Sequence, residues 1–248
     1  MHATEILLSP LMSKRVAVFT TLRQGGVSRA PFDSLNLAAH VGDAPADVKR
    51  NRAKLEQYLP SCNNPLWLEQ VHGVDIVTAH DVPAGEVPVA DGSWTDQPGL
   101  PLAVLTADCL PVVFVNRAET KIAIGHAGWR GLAAGILPEL IEYLGEPADL
   151  RAWIGPGIQR RSFEVGSDVV EAFVKSLGEQ ALVCFQQGKE SEKFQADLPG
   201  LAKMNLRCAG VSDISGGAYC TATQPEQFFS YRRDGLTGRM ATIVALLP

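Results

Sequence analysis

LAVLTADCLPVVFVNRAETKIAIGHAGWRG, residues 102–131, is the stretch whose reading decides the fold. Residues 102–115 are apolar almost throughout, as in strands buried on both faces. Ala107-Asp108-Cys109 interrupts the run and divides it into two predicted strands. Pro111 cannot donate to a ladder, which supports a break there. Residues 121–125 read as a third short strand, with His126 directly after it. A helix is predicted from about Trp129, because Leu132, Ile136, Leu137, Leu140, Ile141 and Leu144 fall on one stripe. Pro138 lies inside that stripe, so a kink or a restart is expected. Gly145 is a suitable stop.

Upstream, residues 15–21 read as a strand. Residues 22–43 form a long loop rich in Gly, Ser, Asn and Asp, of a length that is usually functional or disordered. A helix is predicted over 45–59, with Pro45 in its first turn and Val48, Leu55 and Leu59 on one face. Arg52 shares that face. It either snorkels to the rim or meets an anion in a pocket. Residues 65–72 read as a strand whose alternation puts Leu66, Leu68, Gln70 and His72 on one side. Residues 75–79 continue after a turn at Gly73, and a polar loop with Asp91 and Trp94 follows over 80–101.

Downstream, strands are predicted at 151–154, 163–165 and 181–186. Ser167 is expected to cap a helix closed by Gly178, and 198–209 forms another before Gly210. Residues 228–247 read as a hairpin with its turn at Asp234-Gly235. The irregular order of strands and helices favours a mixed α+β layered fold over a doubly wound one. No linker divides the chain, so a single domain over 1–248 is expected.

At 248 residues and 46% hydrophobic content, the chain can bury a core without staples. A net charge of -5 argues against non-specific nucleic-acid binding, which needs a basic surface. The five cysteines are odd in number and include no CxxC, so a reducing cytoplasm fits better than a disulfide framework. The N-terminus lacks a secretory pattern, and no apolar stretch approaches the length of a membrane span. The expectation is a cytoplasmic enzyme with a small-molecule substrate and neither nucleic-acid nor membrane partners.

Three segments carry candidate chemistry: LEQVHG (68–73), TADCLPV (106–112) and GHAGWRG (125–131). Each presents one soft-metal or nucleophilic side chain: His72, Cys109 and His126. Their separations of 37 residues (72 to 109) and 17 residues (109 to 126) match no compact zinc-finger spacing. A histidine at a strand end is often merely hydrogen-bonded, and a cysteine in an apolar run is often core filler. The other reading brings the three onto one metal, zinc, with an open fourth position. Arg130 and the glycine-flanked helix entry at 128–131 offer a place for a phosphate or carboxylate.

The letters around these segments resemble the laccase-domain family, also called the multicopper polyphenol oxidase or purine nucleoside phosphorylase family. The resemblance rests on GGVS (25–28), SLNL (34–37), Asn51-Arg52, QVHG, TADCLPV, HAGWRG, IGPGI (154–158), FEVG and FFSYRRDGLTGR (228–239), in one order along nearly the whole chain. It implies a single-domain four-layer α-β-β-α sandwich with mixed sheets. It also implies zinc on His72, Cys109 and His126, and a pocket lined by the Asn36 loop, Arg52, Gln70 and the C-terminal arginine-rich segment.

Three activities attach to such a family. One is purine nucleoside chemistry: phosphorolysis of adenosine, inosine and methylthioadenosine, and deamination of adenosine by metal-activated water. The second is amide hydrolysis that removes misincorporated L-serine from a nucleotide-linked muropeptide precursor, UDP-MurNAc. The third is copper-dependent phenol oxidation. The five histidines, His2, His40, His72, His80 and His126, are too few for a mononuclear site plus a trinuclear copper cluster; a single copper is the form left open. Asp108 is the first candidate for a proton shuttle, and Cys109 is an alternative nucleophile. Arg52, Arg130 or Arg232 are candidates to hold phosphate. A structural zinc in a binding module is the non-enzymatic reading; a fourth ligand such as Cys220 or His40 would favour it.

Overall fold

The computed structural model describes residues 5–248, so His2 and Met1 lie outside the described residues. The chain begins with β1 (Ile6–Leu8), β2 (Val16–Thr21), α1 (Pro45–Ala53), β3 (Ile76–Thr78) and β4 (Gly92–Thr95). The decisive stretch supplies β5 (Leu102–Thr106), β6 (Leu110–Asn116), β7 (Ile122–Ala127), α2 (Trp129–Ala134) and α3 (Ile136–Leu144). Then follow β8 (Leu150–Ile154), β9 (Glu164–Gly166), α4 (Ser167–Leu177), β10 (Phe185–Gln187), β11 (Lys193–Ala196) and α5 (Leu198–Cys208). The chain ends with β12 (Asp213–Gly216), α6 (Tyr231–Asp234) and β13 (Met240–Leu246).

Side-chain alternation along the strands builds the layers. A four-stranded sheet, β1-β2-β13-β5, turns Val16, Val18, Leu102, Val104 and Val244 toward Val113, Val115, Ile122 and Ile124 of a six-stranded sheet. The outer face of the first sheet, with Phe19, Leu105 and Ile243, is covered by Leu37, Leu55 and Leu59. The outer face of the second, with Val112, Phe114 and Ile154, is covered by Leu132, Ile136, Leu140, Phe173 and Leu201 from α2 to α5. The result is helix, sheet, sheet, helix. The six-stranded sheet, β12-β8-β6-β7-β4-β3, is mixed: its end pairs β12·β8 and β3·β4 are parallel and its inner pairs antiparallel.

The two apolar strands and their break at 107–109 form as the sequence predicts. Pro111 belongs to β6 rather than to the break. It sits before Val112, where pairing to β8 begins, so its missing N–H costs no ladder bond on that side. His126 falls inside β7, not after it. The helix restarts at Gly135, whose φ of 104° only glycine adopts readily. Pro138 thereby falls in the first turn of α3, where its N–H has no partner to lose.

Other segments depart from the sequence reading. Residues 65–72 form no strand; they make isolated bridges from Leu66 to Leu102 and from Glu69 to Val89. Their alternation persists, with Leu66 and Leu68 buried and Glu69 exposed. The supposed loop over 80–101 contains β4, a strand hidden by its polar but buried Ser93 and Thr95. The helix over 45–59 tightens into a 3-10 turn after Ala53. Residues 179–184 are likewise a 3-10 turn rather than a strand. Ser167 is the first residue of α4, with Gly166 as its N-cap. The predicted hairpin at Asp234-Gly235 is absent. Residues 231–234 are helical, and β13 pairs with β2 and β5 in the interior of its sheet.

Phe114 is fully buried at the centre of the helix-covered face. Phe114→Ala is expected to cost about 3–5 kcal/mol in a denaturant titration. Val183→Ala, at a residue 72% exposed, should stay within about 0.5 kcal/mol.

Candidate metal centre

One carboxylate organises the site. Asp91 is fully buried at the head of β4. Its Oδ2 accepts the backbone N–H groups of Val71 (3.1 Å) and Gly73 (2.7 Å), and its Oδ1 accepts that of His72 (3.0 Å). These bonds pin a turn in which His72 takes φ 63°, the left-handed region that a non-glycine residue seldom occupies. The pairing of Gly92 with Gly125 sets Asp91 beside His126 on the neighbouring strand. The His126 backbone N–H donates to the Asp91 carbonyl at 2.7 Å, and ring Nδ1 lies 2.7 Å from Asp91 Oδ1. With Nδ1 engaged, Nε2 is the nitrogen left for a metal.

Cys109 completes the group from the break between β5 and β6. Its Sγ is 3.9 Å from His72 Nε2, and donor atoms of His72, Cys109 and His126 all lie within 4.8 Å of one another. A tetrahedral zinc with bonds near 2.0–2.3 Å spaces its ligands about 3.3–3.8 Å apart. The donors therefore need to close by at most about 1.5 Å, and the two-imidazole, one-sulfur set suits a borderline-soft ion. These side chains can hold a metal. Neither His40 nor Cys220 joins the group among the described residues.

The electrostatics favour the Cys109 thiolate, while His126 holds a proton that a bound metal would displace. Burial pushes the Cys109 thiol up, but the charge of His126 and hydrogen bonds from both imidazoles outweigh it, from 9.0 to about 6. Burial pulls His126 down, while the Cys109 charge and the Asp91 hydrogen bond carry it to about 9. Burial would raise Asp91, yet its bonds to His126 and to backbone N–H groups hold it below the usual carboxylate range. The thiolate is the form that binds metal.

The glycines of GHAGWRG are close-approach residues. A Cβ on Gly128 would lie 2.9 Å from the His72 ring and 3.0 Å from Cys109 Sγ, among the donors themselves. A Cβ on Gly131 would meet the Gly73 carbonyl at 2.7 Å. Helix α2 thus presses onto the His72 turn. Gly128, read in the sequence as part of an anion-docking entry, faces protein there.

The donors open onto a cavity of about 420 Å³. Trp129, Ile158, Phe163, Leu198 and Tyr231 give it apolar walls. His40, Gln70, Asp108, Arg232 and Arg239 are its polar lining. Asp108, at φ 100°, turns the chain so that Cys109 points inward. Its Oδ1 accepts the Thr221 hydroxyl and its Oδ2 the Arg232 backbone N–H, each at 2.6 Å. Arg232 Nη1 donates to the carbonyls of Ser162 (3.3 Å) and Glu164 (3.0 Å), with the guanidinium over Phe163. Gln70 lines the cavity while its amide clamps the free edge of β5, exchanging two hydrogen bonds with Leu105.

The remaining predicted residues lie elsewhere. Arg52 donates to the Leu37 carbonyl and stacks 4.0 Å over Trp67, in a neighbouring groove. Arg130 is exposed and stacks on Trp129 without lining the cavity. Asn36 is fully buried; its Oδ1 accepts the backbone N–H groups of Ala38 and Arg239, so it supports the wall from behind. Met240 pairs with Thr106, but its sulfur accepts the Phe229 N–H. Sequence reasoning missed Asp91 and Arg239 as site residues, and offered His40 only as a fourth metal ligand, whereas it stands on the cavity wall. A carboxylate just before a buried glycine-led strand was the available signal for Asp91. Arg239 stood inside the quoted FFSYRRDGLTGR, with nothing to rank it above Arg232.

Comparison with known proteins agrees over the whole length. The family profile described as "Multi-copper polyphenol oxidoreductase laccase" matches residues 17–247. A purine nucleoside phosphorylase of Pseudomonas aeruginosa is 47% identical over 233 residues, 94% of either chain. The purine nucleoside phosphorylase YfiH of Escherichia coli is 47% identical over 237 residues, 94% of this chain and 95% of its own. A crystal structure of a Neisseria meningitidis protein, 42% identical, superposes with a TM-score of 0.93 over 99% of this chain and all of that one (100%).

Two outcomes test the site. Asp91→Asn should weaken metal binding by about 10–100-fold in a chelator competition, because the His126 ring and the His72 turn lose their common anchor. In metal-free protein, the rate of Cys109 alkylation should rise with pH through a midpoint near 6. A midpoint near the ordinary 9 would show that the imidazoles do not hold the thiolate.

Proposed function

The chain belongs to the family described as multi-copper polyphenol oxidoreductase laccase, and from that membership we propose that it is a zinc-dependent purine nucleoside phosphorylase. The observation that carries this reading is the opening of the His72, Cys109 and His126 group onto one small, aromatic-walled cavity. At about 420 Å³, the cavity lies within the range of small-molecule sites. Trp129, Phe163 and Tyr231 offer ring faces to a purine. The names carried by the relatives support the same class.

Zinc suits the donor set better than the several coppers of an oxidase. Of the four described histidines, two are in the group, His40 stands on the cavity wall, and His80 lies by Asp96 and Trp94. A fourth protein ligand, which would close the site, is missing from the group among the described residues. Lewis acidity toward an oxygen of the substrate is the chemistry such an ion supplies when bound.

The chain's own residues then divide the work. In phosphorolysis, a phosphate oxygen bonds to ribose C1′ as the glycosidic C–N bond breaks. The electron pair leaves on the purine, which takes up a proton. Positive charge builds on the ribose between these events. Asp108 supplies negative charge on the cavity wall for that state. Both its oxygens already accept hydrogen bonds, so its geometry suits charge stabilisation more than proton transfer. Apolar walls exclude water, which otherwise competes with phosphate for C1′. One domain holds all of these parts.

Inosine and methylthioadenosine with phosphate should each yield free base and a ribose 1-phosphate. Base release that ignores phosphate would contradict the reading. Adenosine should also give inosine without phosphate, the deamination that the family likeness implies. Turnover only of the L-serine amide in a UDP-MurNAc precursor would replace the proposal by an amidase. Cys109→Ala should lose bound metal and at least about 100-fold in activity together; full activity without metal would remove the zinc mechanism.

A further inference from the structure

The cavity has a cation with no ion-pair partner on its walls among the described residues. Arg239 lines the cavity at the end of the turn that leads into β13. Its Nη1 donates to the carbonyls of Thr237 (2.9 Å) and Gly238 (3.0 Å), which fixes the guanidinium against its own turn. The backbone N–H of Arg239 donates to buried Asn36 Oδ1 at 3.0 Å, anchoring that turn to the 36–43 loop. No carboxylate lies within ion-pair distance of it among the described residues. Asp108, the acid on the same wall, has both oxygens engaged by Thr221 and Arg232.

We propose that Arg239, with His40 beside it, forms the oxyanion subsite of this cavity and holds inorganic phosphate against the metal group. The assignment of the anion as phosphate rests on the phosphorylase reading; the oxyanion subsite itself rests on geometry. A desolvated guanidinium is costly without an anionic partner, and here the ligand is the partner. Its planar fork matches a tetrahedral oxyanion, and the two bonds from Nη1 leave Nη2 free to donate. Burial lowers Arg239, and it remains a cation. His40 is lowered by burial, then by the charges of Arg239 and Arg52, with Glu69 opposing, so it faces Arg239 as a neutral ring. Arg52 stays behind the wall, held to Leu37 and Trp67.

The test separates the subsite from the reaction. Phosphate is titrated into metal-free protein and followed by calorimetry, and phosphate and inosine KM values are measured on the zinc-loaded protein. Arg239→Gln should weaken phosphate binding and raise phosphate KM by about 10-fold or more, leaving inosine KM within about twofold, and Arg239→Lys should recover part of the loss. A rise in inosine KM alone would overturn the inference. A measurement on the native chain avoids any folding defect: phosphate should shield Arg239 from phenylglyoxal in peptide mapping, and equal modification with and without phosphate would also overturn it. Phosphate that binds and shields Arg239 without any base release keeps the subsite and removes the phosphorylase reading. Phosphorolysis with an unchanged phosphate KM in Arg239→Gln does the reverse.

Discussion

The Asp91 carboxylate is the constraint on which the site depends. It accepts three consecutive backbone N–H groups, at Val71, His72 and Gly73, and also meets the ring of His126. Two ligands from chain segments more than fifty residues apart are thereby referred to one buried charge. Without it, the left-handed turn at His72 would have no partner for its N–H groups, and the His126 ring would be free to rotate. The cost of burying a carboxylate is offset by these four contacts. The six-stranded sheet makes the arrangement possible, because the β4·β7 register places Asp91 next to His126 in every folded molecule.

A second polar network supports the opposite wall in the same way. Asn51 donates to Ser28, Ser34 and Asn36, and it accepts the Val27 N–H. Asp43 accepts from Ser28 and Asn36. The long 22–43 loop is therefore held by side chains rather than by a ladder, which is how a loop without periodicity can still be rigid. Asn36 passes that rigidity to Arg239. The family-like letters GGVS, SLNL and Asn51-Arg52 are, on this reading, scaffold for the cavity more than lining of it.

How much was legible in the sequence follows from which interactions are local. The β5–β6 break, the α2–α3 restart and the three donors were readable, because apolar runs, a proline and isolated His and Cys residues mark them along the chain. The layer order followed from the family resemblance and from a mixed order of elements. Strand β4 was not readable, because its polar Ser93 and Thr95 are buried by the sheet and helix packed around them, which the local letters do not show. The false hairpin at Asp234-Gly235 had a good turn signal, but the strand before it was needed to place Arg232 against Asp108 instead. Asp91 was invisible as a site residue, and Arg239 was not separable from its neighbouring arginines, because their roles exist only across strands and loops.

Charge balance links the two ends of the cavity. The Asp91 carboxylate and the Cys109 thiolate together carry two negative charges, which a divalent ion on His72, Cys109 and His126 would cancel. The metal end then has no excess charge with which to repel or to over-hold an anion. Asp108 keeps its charge on the wall, with both oxygens oriented by hydrogen bonds from the Thr221 hydroxyl and the Arg232 backbone N–H. The cation that remains without an ion pair on the lining is the guanidinium of Arg239, with Arg232 turned toward carbonyls at the rim. An anion is thus drawn to one end of the cavity, while the aromatic walls at 129 and 163 leave the rest for an uncharged ring system. That division is what a reaction between an oxyanion and a neutral nucleoside requires of its enzyme.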